Sequence, residues 1–177
     1  MAKRILIVGG VAGGASCAAR LRRLDEDAEI VLFERGEYIS FANCGLPYYV
    51  GGVIPKREAL LVQDPKTMKA WFNIDIYVQT EVTAIQPEQK TVTVLNRATG
   101  EVRSERYDVL VLSPGAEPVV PEVPGVDEAC ERLFTIRNVH DVDRLKTYMD
   151  NENPKRAVVI GGGYIGLEMA ENLVQKG

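Results

Sequence analysis

Cysteine, histidine and tryptophan are scarce in this 177-residue chain, which has three, one and one. The cysteines, at 17, 44 and 130, form no CxxC pair and His140 is the lone imidazole, so a structural zinc site or a disulfide scaffold lacks the ligands it needs. No metal is expected, and a reducing, cytoplasmic compartment is. Also missing is any apolar run near the ~20 residues of a membrane span. The start, MAKRILIVGG, passes from two basic residues straight into a strand-like run, so no secretion signal is expected. Charge is neither extreme nor segregated: 21 basic against 25 acidic residues give −4, which leaves no electrostatic footprint for nucleic acid or anionic lipid. The length allows one domain, or one plus part of another.

What is present is glycine in two telling places. Residues 4 to 8 (RILIV) read as a buried strand, 14 to 24 (GASCAARLRRL) as a helix and 30 to 34 (IVLFE) as a second buried strand. That is a βαβ unit, hence a parallel sheet with a right-handed crossover. Between the strand and the helix lie Gly9, Gly10, Val11, Ala12, Gly13 and Gly14, and Glu34 closes the next strand. A diphosphate reaches backbone at a helix N-terminus only where side chains do not block it, and Glu34 is placed to accept hydrogen bonds from ribose hydroxyls while repelling a ribose phosphate. Val11 stands where the G-x-G-x-x-G pattern has its second glycine. Near the other end, AVVI leads into Gly161, Gly162, Gly163, Tyr164, Ile165 and Gly166 and then a helix, a complete match. Two dinucleotides on one chain most simply mean a flavoprotein with a nicotinamide donor, NADH or NADPH.

Between the turns the chain changes character. Residues 76–85, 91–96 and 101–107 are expected to form an antiparallel meander, and the run from Asp108 returns as a buried strand. The segment 114–127 carries four prolines and reads as a crossing loop, followed by a short helix over 139–149. The fold expected is α/β: a Rossmann-like FAD-binding domain over 1–117 (a parallel sheet with an antiparallel β-meander insertion), a linker and short helix over 118–150, and the start of a Rossmann-like NAD(P)-binding domain over 151–177.

Cys44 lies in SFANCGLPYY, just past a strand end, where ligands bind on parallel sheets. A buried inert thiol is one reading. A redox thiol is the other, with Gly45 admitting a flat ring and Pro47 starting a helix. With no second cysteine within ten residues, an oxidised Cys44 would be a mixed disulfide with a small thiol, a persulfide or a sulfenic acid. Ser16, Arg20 and Arg23 fall on one helical face, with Cys17, Leu21 and Leu24 as a packing stripe beside it. Two guanidiniums on one face suit phosphates, and a solvated basic face is the plainer alternative. His140 reads as surface or capping. Cys130, between Glu128 and Glu131, reads as unreactive.

SFANCGLPYY, with LIVGGVAGGASCAARLRRL, LSPGAEPVVPEVPG and VVIGGGYIGLEMAENL, is similar to the coenzyme A disulfide reductases, the single-cysteine branch of the pyridine nucleotide-disulfide oxidoreductases whose relatives include rhodanese-fused persulfide or polysulfide reductases. The resemblance covers essentially the whole chain. It implies FAD on the first unit beside Glu34, Arg35, the backbone around Val82, and Ser113-Pro114-Gly115. It also implies NAD(P)H on Gly161, Gly163, Tyr164, Ile165 and Gly166, with Tyr164 over the nicotinamide path or simply packed. Cys44 becomes the catalytic cysteine forming a mixed disulfide with coenzyme A, Ser40 and Asn43 contact the thiol end, and Ser16, Arg20 and Arg23 hold the coenzyme A phosphates. The lysine some members add for coenzyme A would fall near Phe72, so that contact is expected to be missing. Members are more than twice as long, completing the nicotinamide domain and adding a homodimerisation domain; 177 residues alone would turn over weakly or not at all. The alternatives are an NADH oxidase or peroxidase with a cysteine sulfenic acid, which Asn43 and the LPYY tail disfavour, and a non-catalytic dinucleotide-binding module.

Overall fold

A computed structural model describes residues 2–127 and 130–177. Its strands are Arg4–Val8 (β1), Glu29–Phe33 (β2), Ile74–Tyr77 (β3), Thr80–Gln86 (β4), Thr91–Asn96 (β5), Val102–Arg106 (β6) and Val109–Leu112 (β7). Its α-helices are Ala12–Leu24 (α1), Leu46–Val50 (α2), Pro65–Phe72 (α3), Val139–Glu152 (α4) and Tyr164–Lys176 (α5). They sort into two compact units, Met1–Phe41 with Leu61–Gly115, and Ala42–Leu60 with Ala116–Gly177.

In the first unit β1 is central, and the sheet runs β3-β2-β1-β7 with every pairing parallel. Strand side chains alternate between faces, and both faces are covered, which is why RILIV and EIVLF read as unbroken apolar runs. Ile5, Ile7, Ile30 and Leu32 point to one side, where they pack with Ala18 of α1 and Met68 of α3. Leu6, Val31 and Phe33 point to the other and pack on Val92 and Val94 of β5. That second cover is the antiparallel sheet β4-β5-β6. Each large side chain so buried contributes about 1.5–3 kcal/mol.

The expected strand 76–85 is two strands. β3 belongs to the parallel sheet and β4 to the meander, and the chain is redirected between them at Gln79, a non-glycine residue at φ +50°. The packing stripe on α1 also differs from expectation. Gly14, Ala15 and Ala18 are its buried residues and Leu21 packs partly, whereas Leu24 is 66% exposed. Small residues let the helix lie close on β1, so the contact line runs through 14, 18 and 21 rather than 17, 21 and 24. Helix α3, for which no periodic pattern gave an expectation, is fixed at both ends. Asp64 caps its start by accepting from the backbone of Lys66 and Thr67, Pro65 opens it, and Asn73 at φ +47° ends it.

In the second unit α4 starts at a reciprocal capping box between Asn138 and Asp141, so Asn138 rather than His140 is the cap, and His140 is exposed in the first turn. Residues 114–127 carry no helix or strand. Glu128, invoked beside Cys130, lies outside the described residues. The run AVVIG before the second glycine turn is not a strand, in contrast to expectation, and Val158 and Ile160 are 87% and 74% exposed. A parallel strand needs a neighbour to bond to, and among the described residues none pairs with it; a helix bonds within itself, so α5 forms regardless. Among the described residues no helix is long and apolar enough to cross a membrane, and no group of three His, Cys, Asp or Glu side chains is placed to hold a metal.

Candidate active site

The first glycine turn is closed by contacts that leave no room for side chains. Gly9 sits at φ +95°, and a Cβ there would overlap the carbonyl oxygen of Ser113, the residue that follows β7. A Cβ on Gly14 would overlap the carbonyl of Gly9, one on Gly13 the hydroxyl of Ser113, and one on Gly10 would lie 2.8 Å from both Leu32 and Ile39. The glycines therefore bind β1, the start of α1 and the end of β7 into one cradle, which brings Ser113 to the turn. Val11 is the N-cap of α1 and offers no side-chain hydrogen bond, and the first turn holds no acidic residue. The opening N–H groups of a 13-residue helix are thus without a side-chain cap and on the positive end of its dipole.

Glu34 completes the cradle. Its two carboxylate oxygens accept the N–H groups of Gly10 and Gly36, each at 2.7 Å. A carboxylate offers about four acceptor sites, so two remain for ribose hydroxyls. A capless helix start, a cradle closed against side chains and a half-used carboxylate fit the adenosine diphosphate portion of a dinucleotide such as FAD. Arg35 is exposed beside Glu34. Val82 packs its side chain into the core, and a β-bulge follows it, between Val82 and Ala84, which frees the backbone at Thr83 from the ladder. Pro114 and Gly115 are exposed after Ser113, with Gly115 at φ +71°.

Ser16, Arg20 and Arg23 are all exposed and share the outer face of α1. The Arg23 guanidinium lies 5.8 Å over the ring of Phe72, the position at which the lysine was missing. Arg22, between them, has a different task that no sequence signal marked: its Nε donates to the carbonyl of Phe72 and its Nη2 to that of Asn73, clamping the end of α3. Ser40 is in the first unit at φ +47°, its N–H donating to Gly10 and its carbonyl accepting from Val62.

In the second unit, Cys44 is exposed at the middle of a three-residue turn, Asn43–Gly45, that runs directly into α2. Asn43 is exposed beside it. The bare side of Gly45 faces Ile54 and Leu60, each 3.1 Å from a Cβ built there, so a side chain at this position would press on both. Pro47 lies in the first turn of α2, as the sequence implied. The segment is fastened by Asp143 of α4, whose carboxylate takes the Nε–H of Arg57 at 2.8 Å and the Tyr49 hydroxyl at 3.4 Å. Burial, and then Asp143, push the Tyr49 phenol above its ordinary pKa.

The second glycine turn repeats the first. Gly161 is at φ +109° and a Cβ on Gly166 would overlap its carbonyl, as Gly14 does with Gly9. Here the middle position is glycine, and Cβ atoms on Gly161, Gly162 and Gly163 would meet nothing. Backbone approach by a diphosphate is therefore unobstructed. Tyr164 and Ile165 open α5, 89% and 57% exposed. Cys17 is half-buried and Cys130 exposed, and neither forms a disulfide.

Comparison with known proteins agrees with this build. A family model described as pyridine nucleotide-disulphide oxidoreductase matches residues 3–177. A coenzyme A disulfide reductase of Staphylococcus haemolyticus is 43% identical over 99% of this chain and 39% of its own length, and one from Staphylococcus aureus is 41% identical over 98% and 39%. The chain thus spans about two fifths of the curated relatives it matches. The crystal structure of reduced CoADR-RHD from Bacillus anthracis superposes with a TM-score of 0.96 at 59% identity, covering 99% of this chain and 31% of that one. An NAD-dependent persulfide reductase from A. fulgidus follows with 0.90 at 36%, covering 98% and 32%. A water-forming NADH oxidase from Lactobacillus brevis gives 0.90 at 32%, covering 99% and 38%.

Proposed function

The chain belongs to the pyridine nucleotide-disulphide oxidoreductase family, and we propose that it works as an FAD-dependent enzyme that uses NAD(P)H to reduce coenzyme A disulfide, or coenzyme A persulfide or polysulfide, through one redox cysteine, Cys44. The observation that carries this is an exposed sulfur, with no second cysteine in its segment, on a chain that builds the dinucleotide turn twice.

The residues divide the work as follows. Gly9, Gly10, Val11, Ala12, Gly13, Gly14, Glu34 and Arg35, the backbone near Val82, and Ser113, Pro114 and Gly115 hold FAD on residues 1–117. Gly161, Gly163, Tyr164, Ile165 and Gly166 hold the nicotinamide dinucleotide, on a domain that opens within 151–177 after the 118–150 linker. Bound FAD supplies a two-electron relay from nicotinamide to sulfur. The Cys44 thiolate attacks one sulfur of coenzyme A disulfide, forming a Cys44–coenzyme A mixed disulfide and releasing the other half as thiolate. With a persulfide the leaving group is hydrosulfide. Two electrons from one NAD(P)H then cleave the mixed disulfide, returning the Cys44 thiolate and coenzyme A thiol. In this reading Ser40 and Asn43 bind the thiol end of coenzyme A, and Ser16, Arg20 and Arg23 steer the substrate phosphates. A reducing cytoplasm and a homodimer, whose partner helps complete the coenzyme A site, belong to the same reading. The likeness to the NADH oxidase keeps a second reading, in which Cys44 cycles through sulfenic acid.

Anaerobic titration of the flavin-loaded protein with NADH and with NADPH, followed in parallel by coenzyme A disulfide, coenzyme A persulfide and hydrogen peroxide, tests these. The proposal expects reoxidation by the coenzyme A compounds and its loss in Cys44→Ser with flavin retained. Reoxidation by peroxide alone selects the oxidase reading. A protein that takes up no FAD, or a Cys44→Ser variant with full turnover, refutes both.

A further inference from the structure

Helix α5 buries only Met169 and Asn172, and Asn172, 1% exposed, is an unusual choice for that place. Its Nδ2 donates to the carbonyl of Glu168 one turn back, at 2.8 Å, which fixes the amide's orientation. The same bond leaves Oδ1 fully buried without a hydrogen-bond partner. An orphaned buried acceptor costs about 1–3 kcal/mol, a cost that an apolar side chain of similar size would avoid. What Oδ1 faces is Gly51, at the end of α2. Gly51 has ordinary helical dihedrals, φ −69° and ψ −12°, so its backbone does not require glycine. Asn172 requires it: a Cβ on Gly51 would lie 2.7 Å from Asn172 Cβ and 2.9 Å from Cγ, and nearer still to Oδ1. The two residues are a matched knob and hole.

The position of this pair gives it its meaning. Seven residues before Gly51, at the other end of α2, is Cys44, and six residues before Asn172, at the start of α5, is Gly166 of the second glycine turn. Cys44 sits in the turn that leads into α2, Gly166 in the first turn of α5, and Gly51–Asn172 is one of the contacts through which the two helices pack. Both lie within the second unit.

We propose that Gly51 and Asn172 form a positioning pair that transmits occupancy of the second glycine turn to Cys44. This rests on the reading of that turn as a dinucleotide site. A nucleotide seated on the N-terminus of α5 fixes the helix, and α5 fixes α2 and the cysteine turn through a contact with no slack. Because linkage is reciprocal, the state of Cys44 also alters nucleotide affinity by the same factor.

The test uses oxidised, flavin-loaded protein with reduced thiols and NAD+, which fills the turn without donating electrons. Iodoacetamide alkylation of Cys44 is followed by peptide mass spectrometry with and without NAD+, and exposed Cys130 is the internal control. In the unaltered protein NAD+ is expected to slow Cys44 alkylation about fivefold, a typical coupling, and to leave Cys130 unchanged. Gly51→Ala forces an overlap and Asn172→Ala opens a gap, and each brings the ratio at Cys44 close to one while NAD+ still binds. In the double variant Gly51→Ala with Asn172→Gly the methyl takes the place of the Cβ removed from 172, so the effect of NAD+ returns in part, and denaturant unfolding of the same variants reads the stability that a merely structural role would move while leaving the NAD+ ratio alone. Should Gly51→Ala fail to fold, Asn172→Ala against the double variant carries the comparison. Full NAD+ protection in the single variants, or NAD+ binding without any effect on Cys44 in the unaltered protein, overturns the coupling alone. A protein that does not bind NAD+ overturns the dinucleotide reading and the coupling together.

Discussion

The carboxylate of Glu34 accepts the N–H of Gly10 at 2.7 Å, so the acid that reads ribose and the turn that meets diphosphate are joined before any nucleotide arrives. Its other oxygen takes the N–H of Gly36. A Glu34→Gln variant turns one acceptor into a donor aimed at an N–H group, breaking one charge-assisted bond and weakening those to ribose. With such bonds contributing about 1.5–3 kcal/mol each, FAD is expected to bind at least about tenfold more weakly. Recovery of flavin fluorescence on dilution measures it. Undiminished retention would remove Glu34 from the cofactor site.

The paired glycine turns make a stability prediction. Gly9→Ala places a side chain at φ +95° and into the Ser113 carbonyl, which is backbone and cannot swing aside. A loss of about 2–4 kcal/mol is expected, from left-handed strain plus overlap. At Gly163, which has ordinary φ and open space around it, Ala should leave stability almost unchanged and instead weaken nicotinamide dinucleotide binding. Denaturant unfolding of the two variants separates a glycine kept for folding from one kept for ligand.

These contrasts show how far the sequence was legible. Apolar runs with glycine turns dictate the parallel sheet, because strands covered on both faces carry no polar alternation to confuse them. The meander was legible too, except where Gln79 takes a left-handed conformation that no glycine announced. Glu34 could be found from its place at a strand end. Arg22, Asp143 and Asn172 could not, since each acts on residues far along the chain: Arg22 on Phe72, Asp143 on Tyr49 and Arg57, Asn172 on Gly51. Pattern within a window carries no trace of such partners. The segment 157–161 departs from expectation for the opposite reason: its composition is that of a strand, and among the described residues no strand pairs with it.

Arg20 and Arg23 share the exposed face of α1, and Arg23 is held over Phe72. If they steer substrate phosphates, replacing both with Ala should raise KM for coenzyme A disulfide about tenfold or more, given charge-assisted bonds of this kind. Turnover of cystamine, a disulfide without phosphate, should change little. Arg23→Lys keeps the charge and loses the planar fork, and is expected to fall between. Equal losses on both substrates would instead place the effect on Cys44 or on folding.

The ends of the parallel sheet and the meander are pinned by Glu105, which predicts how the first unit responds to acid. Burial alone would raise the Glu105 carboxyl, but hydrogen bonds from Arg103 and Arg4, both at 2.8 Å, hold it below the ordinary glutamate value. Arg4 is in turn bonded to Glu29 and to the carbonyl of Arg106. A carboxyl with a lower pKa folded than unfolded stabilises fully above its unfolded value, about 4.3, and loses that contribution as pH falls through the folded value. Unfolding free energy should therefore drop as pH goes from about 5 towards 3, and Glu105→Gln should flatten that limb while costing about 1–2 kcal/mol at pH 7. The two unfolding curves are expected to converge at the acid end, where the carboxyl is neutral in both states. Parallel curves across the whole range would mean that the Arg4–Glu105–Arg103 contact contributes no net stability.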